Sequence, residues 1–373
     1  MPKNHTFSVS MEFLREIVAK QTFRDSPAAA LRELIQNAHD ACMIQSAITN
    51  KAEYSVYITL DPAEKTITIQ DNGIGMTLSD IDEYLTTIGK GKKGSEILEK
   101  FSGIPLDKRR LGNVIGEFGF GFVASFIIAD KIELWTRAAR GTPKGIYCEF
   151  SIEDVAYKCE EIDQNVEVGT KLVLHLNRKT YARAFKPTDN PLEGNILSWD
   201  TVEAIIKKYC IFLEFPIYVT MKGEPAPTPS NHVELPWESE QKLKERVQRF
   251  YDLRTGRGNL GEILHTIRIS LSRDRGDAID LEGVLFIEEA PSTASGTPGN
   301  LEIFVKRMWV CEREQSLLPR WASFLRGMIV TADLRPLPGR DALDVQHNSY
   351  DHVKNALHEV ISDAFLAFAQ NNQ

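Results

Sequence analysis

Between Leu31 and Ala41 the chain reads LRELIQNAHDA, and no other stretch restricts the fold as much. Apolar Leu31, Leu34, Ile35, Ala38 and Cys42 recur at helical spacing, while Glu33, Asn37 and Asp40 project together from another face. Asn and Asp are poor helix formers because their side chains compete for backbone hydrogen bonds. Their place in mid-helix means that the helix shows either a wet face to solvent or a row of polar groups to a ligand. Motifs further along bear on that choice.

With 373 residues the chain is too long for one ordinary core, so two domains are expected. A hydrophobic content of 42% and a charged content of 26% fit a soluble globular protein. The net charge of -8 argues against wholesale binding to nucleic acid or acidic membranes. Five cysteines, Cys42, Cys148, Cys159, Cys210 and Cys311, are scattered without metal-ligand spacing, and an odd number does not make a disulfide framework. Buried free thiols in a reducing cytoplasm are the expectation. The amino terminus lacks the apolar core of a signal peptide, and no run approaches the roughly 18 apolar residues of a membrane span.

In order, the pattern predicts a short strand over His5 to Ser10, a helix over Met11 to Ala19, and a helix starting at Asp25 and Ser26 with Pro27 in its first turn. Strands follow at Tyr54 to Leu60 and Thr66 to Gln70, the second running into Asp71-Asn72-Gly73-Ile74-Gly75. From Thr77 to Ile115 glycines and cations dominate, which reads as disorder or a moving functional loop. That segment ends at Gly116-Glu117-Phe118-Gly119-Phe120-Gly121-Phe122, which opens an apolar helix expected to reach Ala129. Further strands are expected at Lys131 to Thr136, Gly145 to Phe150 and Thr170 to Leu176.

The first domain, residues 1–220, is expected to close near Thr220, with Met221 to Pro236 and its four prolines as linker. Residues 237–373 form the second domain: a helix at Glu238 to Leu253, strands at Ile263 to Leu271, Leu281 to Ile287 and Leu301 to Val310, and a last helix at Asp351 to Phe368. That helix carries Val353, Leu357, Ile361, Phe365 and Phe368 on one stripe. Trp237, Trp309 and Trp321 are most simply packing residues.

A carboxylate after a strand, a mid-helix Glu/Asn pair and a glycine-rich turn opening a helix together suit a nucleotide. Asp71, followed by glycines that let a flat ring approach the backbone, can accept from the exocyclic amine of adenine. Gly116, Gly119 and Gly121 leave backbone N–H groups bare at a helix amino terminus, where phosphates bind. Asn37 would supply a neutral oxygen to Mg²⁺ alongside phosphate oxygens and water. Glu33 could orient or deprotonate an attacking water, a role worth roughly 10²–10⁴ in rate. Asp40 either reaches the same water network or only solvates the helix.

LRELIQNAHDA, ITIQDNGIGM, IGEFGFGF followed by ASFIIADKI, and VGTKLVLHL resemble the four nucleotide-binding motifs of the GHKL ATPases, the class of gyrase B, Hsp90, MutL and histidine kinases. Within that class the Hsp90 family matches best. The opening HTFSVSMEFLREIVAKQTFRDSPAAALREL and the stretch LTTIGKGKKGSE are similar to its first elements and its lid. EGVLFIEEAP, NLEIFVKRMWVCE, SLLPRWASFLRGMIV and LRPLPGRDAL resemble its middle domain, so the likeness runs from about residue 5 to about residue 368.

The resemblance implies an α/β sandwich of the GHKL type, its mixed sheet covered on one face by helices, with a lid at about 77–115 and an α/β middle-domain segment behind it. It implies ATP and Mg²⁺ as ligands, with Glu33 as catalytic base, Asn37 on the metal and Asp71 anchoring adenine. Asp40 would join the nucleotide site, Gly75 and Met76 would line the adenine pocket, and Thr170 would back up Asp71 through water. Lys90, one of several lid cations, would sit by the phosphates, and Gly116, Phe118, Gly119, Gly121 and Phe122 would wrap them. Arg340 would act from the second domain as an arginine finger, worth about 10³–10⁵ where such a group operates.

The activity implied is ATP hydrolysis coupled to lid closure and to conformational work on unfolded or partly folded client proteins, in a cytoplasmic homodimer that binds neither nucleic acid nor membrane. The rival is a GHKL ATPase acting on DNA, of the MutL or topoisomerase kind. Three positions depart from the family: Tyr84 replaces an asparagine, Glu117 a glutamine and Gly339 a serine. No dimerisation domain follows Phe368, which implies a fragment or a short divergent relative.

Overall fold

The structure is a computed structural model and describes residues 22–85, 106–116, 121–141, 144–151, 157–163, 165–183, 190–225, 228–231, 234–255, 260–289, 301–312 and 314–371. The strand and helix expected before residue 20 lie outside the described residues. The chain divides into two compact units, one of residues 1–206 and 213–232, the other of residues 207–212 and 233–373.

The first unit is built around helix α1, Pro27–Thr49. Ser26 caps it by accepting from the amide of Ala29 at 3.2 Å, and Pro27 fills a first-turn position where no amide is missed. The helix ends at Asn50, whose left-handed backbone (φ 55°) returns its N–H to the carbonyl of Ser46. Ala30, Leu31, Ile35 and Cys42 are wholly buried. At about 1.5–3 kcal/mol for each large apolar side chain, this face outweighs the poor helix propensity of Asn37 and Asp40.

The helix lies on a seven-stranded mixed sheet made of β1 (Val56–Asp61), β2 (Thr66–Asp71), β3 (Ala129–Arg137), β4 (Gly145–Ser151), β5 (Lys158–Ile162), β6 (Gly169–Leu176) and β7 (Ile217–Met221). Their spatial order is β5-β4-β3-β6-β2-β1-β7. Only β1 and β7 pair in parallel. Val56, Ile58, Leu60, Ile67, Ile132, Leu134 and Leu174 are all buried, whereas alternate positions such as Tyr57 and Lys171 are exposed. This period-two pattern makes one face of the sheet the core and leaves the other half open, as expected for an α/β sandwich. Asn231 holds the far edge, accepting from the amide of Ile217 and donating to the carbonyls of Leu213 and Phe215.

The helix expected to run from Phe122 to Ala129 is much shorter. One helical turn, Gly121–Ala124, tightens into a 3-10 turn at Ser125–Ile127, and β3 starts at Ala129. Asn177 is the cause, since its amide groups take the carbonyls of Ile127 and Ile128 and draw the chain out of the helix. The expectation of five free thiols also fails. The β4–β5 register sets Cys148 directly opposite Cys159, and the two form a disulfide, leaving Cys42, Cys210 and Cys311 as free buried thiols. The argument for a reducing compartment loses two of its five cysteines.

The second unit is a five-stranded sheet in the order β11-β10-β12-β9-β8, from β8 (Ile263–Leu271), β9 (Leu281–Glu288), β10 (Leu301–Val305), β11 (Met308–Cys311) and β12 (Arg326–Thr331). Its inner strands β9, β10 and β12 are buried on both faces. Leu285, Ile303 and Ile329 pack with Val353, Leu357 and Ile361 of the last helix, Asn348–Asn371. Val284, Phe286, Phe304 and Met328 pack with Val247, Phe250 and Tyr251 of the helix Leu243–Thr255. Near-continuous apolar runs such as LEIFV follow from that double burial.

The single strand expected over Leu301 to Val310 is a hairpin, turned at Lys306 and Arg307, both with positive φ. Trp321 and Phe368 are half-exposed, each with a ring contact, Trp321 against Phe365 and Phe368 against His265. No helix among the described residues is long and apolar enough to cross a membrane.

Candidate functional site

Helix α1 presents Asn37 as its one exposed residue between Ala28 and Asp40. On one side of it runs the glycine turn. A Cβ on Gly121 would stand 2.9 Å from the Asn37 amide nitrogen, and one on Gly116 would stand 3.2 Å from Asp40 Oδ2. A side chain at either position would have to push the Asn37 or Asp40 side chain aside. Asp40 itself is buried and accepts from the amides of Ile115 and Gly116 at 2.9 and 2.7 Å. Its carboxylate thus fixes the start of that turn against the helix.

On the other side lies the turn after β2. Gly73 abuts the Ala41 backbone so closely that a Cβ would come within 2.4 Å of its carbonyl carbon, and the Ile74 amide donates to the Ala41 oxygen. Asp71, 6% exposed, accepts from the Gly73 amide through Oδ1 at 2.9 Å. Gly75 has φ +66° and is pressed onto the Arg137 carbonyl, where only glycine fits. Met76 donates its amide to Thr136 Oγ1 at 3.0 Å, and Thr170 pairs with Asp71 in the β2–β6 register. Burial first and then the negative charge of Asp71 push the neighbouring Cys42 thiol well above its ordinary value.

Glu33 is 6% exposed and accepts from Arg32 Nε and Nη2 at 3.2 and 3.0 Å. Neighbours in a helix diverge by about 100°, so the pair forms only because both side chains bend to one side. The ion pair holds the carboxylate in one orientation.

The structure therefore sets Asn37 beside Gly121, Asp40 on Gly116, Asp71 opposite Thr170, and Gly75 and Met76 against β3, with Glu33 one helical turn before Asn37 on α1. Phe122 turns inward, 7% exposed, with its ring against Phe126 and Phe150. Lys90, Phe118 and Gly119 lie outside the described residues. Arg340 belongs to the second unit, where it is 2% exposed and has φ +50°. Of the expected lid, the described parts are a Thr77-capped turn running into a π turn at Ile81–Leu85, and a helical turn at Lys108–Gly112. The latter is tied to α1 by the bond from the Asp107 amide to the Ala47 carbonyl.

Two participants escaped the sequence reading. Arg32 is adjacent to Glu33, and nothing in the spacing signals that they pair. Thr136 carried a usable signal, since it is polar at a position where alternation with Ile132 and Leu134 demands a core residue.

Among the described residues no three His, Cys, Asp or Glu side chains cluster to hold a metal. The exposed side-chain amide of Asn37, beside Gly121, suits an ion that arrives coordinated by phosphate and water, as magnesium does.

The chain is similar in sequence to known proteins. Residues 25–171 match the family described as histidine kinase-, DNA gyrase B- and HSP90-like ATPase. The chaperone protein HtpG of Chlorobium luteolum is 29% identical over 347 residues, covering 88% of this chain and 50% of its own. HtpG of Rickettsia bellii is 26% identical over 341 residues, and HtpG of Rickettsia canadensis 28% over 342. The chain spans about half the length of the curated relatives it matches. The first unit is thus similar to that ATPase family, and most of the chain's length is similar to the HtpG chaperones.

Proposed function

We propose that the protein is an ATP-dependent chaperone of the Hsp90 type, which binds and hydrolyses Mg-ATP to do conformational work on unfolded or partly folded proteins. The observation that carries this reading is the exposed Asn37, set in a buried helix between the turn at Gly121 and the turn that starts at Asp71. Nucleotide and client binding, a homodimeric assembly and a cytoplasmic location belong to the same proposal.

In this reading Asp71 accepts from the adenine amine, with Gly75, Met76 and Thr170 around the ring. The turn from Gly116 to Phe122 wraps the phosphates, with Lys90 beside them; the Gly116 amide itself is held by Asp40. Asn37 would hold Mg²⁺, which when bound neutralises charge on the phosphate oxygens. Glu33, kept in place by Arg32, orients the attacking water and takes its proton on the carboxylate. Segment 77–115 closes over the triphosphate, and Arg340 supplies a guanidinium to the terminal phosphate during turnover. The domain assignment is that of an ATP-binding domain over 1–220, a linker over 221–236 and a middle-domain segment over 237–373.

A coupled ATPase assay with nucleotide titration tests the reading. Glu33→Ala keeps ATP binding and loses about 10²–10⁴ in turnover. Asp71→Asn abolishes binding, because a lost charged hydrogen bond costs about 1.5–3 kcal/mol and strands its partner. Unaltered turnover in the first variant or unaltered affinity in the second overturns the assignment. Stimulation by duplex DNA instead of by an unfolded protein would favour the DNA-directed alternative.

A further inference from the structure

Thr136, on β3, is wholly buried, yet its hydroxyl touches three segments of the site. It accepts from the Met76 amide at 3.0 Å, donates to the Gly169 carbonyl at 2.8 Å and lies 3.1 Å from the hydroxyl of Thr170. A hydroxyl has one proton and two lone pairs. The Gly169 carbonyl can only accept, so it takes the Thr136 proton. The Met76 amide can only donate, so it occupies one lone pair. Contact with Thr170 is then a hydrogen bond only if Thr170 donates its own proton to the remaining lone pair.

The Thr170 hydroxyl, half-buried, thus has its proton committed inward and keeps only acceptor capacity towards the site. Its partner across the β2–β6 pair is Asp71, whose carboxylate is also acceptor-only when ionised. The backbone leaves little room for another arrangement. Gly169 has φ +125°, and a Cβ there would stand 2.1 Å from the Asp71 carbonyl oxygen.

We propose that Thr136 is a positioning residue for base specificity, orienting Thr170 so that the site presents acceptors alone and selects a 6-amino purine over a 6-oxo purine. This inference rests on the ATP reading above. A 6-oxo group brought against two acceptors finds no donor and is rejected, by the same logic by which an unpaired buried polar group discriminates between substrates.

The test measures ATP and GTP affinities by calorimetric titration in the wild-type chain and in Thr136→Val and Thr136→Ser. The valine variant frees the Thr170 proton to point into the site, so the ratio of GTP to ATP dissociation constants falls by about tenfold, the factor that one hydrogen bond sets. The serine variant keeps the hydroxyl and restores the wild-type ratio, which general damage from a substitution on β3 would not do. A folded Thr136→Val protein with the wild-type ratio overturns the inference. Should the valine variant fail to fold, Thr170→Val decides, because it removes the outward acceptor and leaves Thr136 bonded to Met76 and Gly169; an unchanged ratio there also overturns it. Wild-type protein that binds neither nucleotide overturns the ATP reading itself, whereas tight ATP binding with unaltered ratios in the variants overturns this inference alone.

Discussion

The carboxylate of Asp40 accepts hydrogen bonds from the amides of Ile115 and Gly116, joining the middle of helix α1 to the first residue of the glycine turn 76 positions later. Because these bonds use a charged acceptor in a buried place, the position of the turn depends on that charge. Asp40→Asn keeps one acceptor oxygen and sets an NH₂ group against an amide N–H. The expected result is a loss of about 1–3 kcal/mol in stability, with weaker nucleotide binding. Denaturant titration and nucleotide titration of the variant check both, and wild-type values in both would show that the turn holds its place without Asp40.

In the second unit Arg254 and Glu302 form an ion pair at 2.8 Å with side chains 6% and 7% exposed, and Trp309 donates to the same carboxylate. Removing one partner of such a pair leaves a buried charge uncompensated, at a cost of about 3–5 kcal/mol. Glu302→Ala is expected to lose stability on that scale, and adding Arg254→Met to recover a large part of it. A double-mutant cycle by chemical denaturation measures the coupling, and additive losses would contradict it.

On the open face of the first sheet, burial tends to raise the Glu133 carboxyl, but hydrogen bonds from His175 and Tyr147 and the charge of Lys131 outweigh it and hold the group below its ordinary 4.5. A carboxylate lowered in the folded state stabilises the protein above its unfolded value. That stability fades as the pH falls below 4.5 and through the folded value. Unfolding midpoints measured down the acid range should therefore fall more steeply for wild type than for Glu133→Gln. Parallel curves would assign the acid sensitivity elsewhere.

The Cys148–Cys159 disulfide makes a direct numerical prediction. Thiol titration of the unfolded chain without reductant should find three reactive thiols, Cys42, Cys210 and Cys311, and five after treatment with a dithiol. Five thiols before treatment would mean that the β4–β5 pairing holds without the covalent link.

What could be read from the sequence follows the range of the forces involved. The start of α1 at Ser26 and Pro27, and the strand Ile263–Leu271, are written in neighbouring residues, through capping and alternation. The hairpin at Lys306 and Arg307 lacks the Gly or Asn that normally marks two positive φ angles, so the chain there reads as one long strand. β5, KCEEI, is a mostly exposed edge strand with no apolar face to betray it. The shortened helix at Gly121 depends on Asn177, and the disulfide on a register between strands; both arise from contacts distant in sequence. The candidate site follows the same division. Glu33, Asn37 and Asp71 stand in local motifs, whereas the pairing of Arg32 with Glu33 emerges only from side-chain geometry, and Thr136 shows in the sequence only as a polar break in an apolar alternation.

The parallel pairing of β7 with β1 has a practical corollary for dissecting the molecule. A polypeptide cut short ahead of Ile217 would remove the β7 ladder and leave β1, still paired with β2 on its other side, as a raw border. Bare borders recruit strands from other molecules, so such a truncation should clump, whereas one that retains Asn231 should stay dispersed.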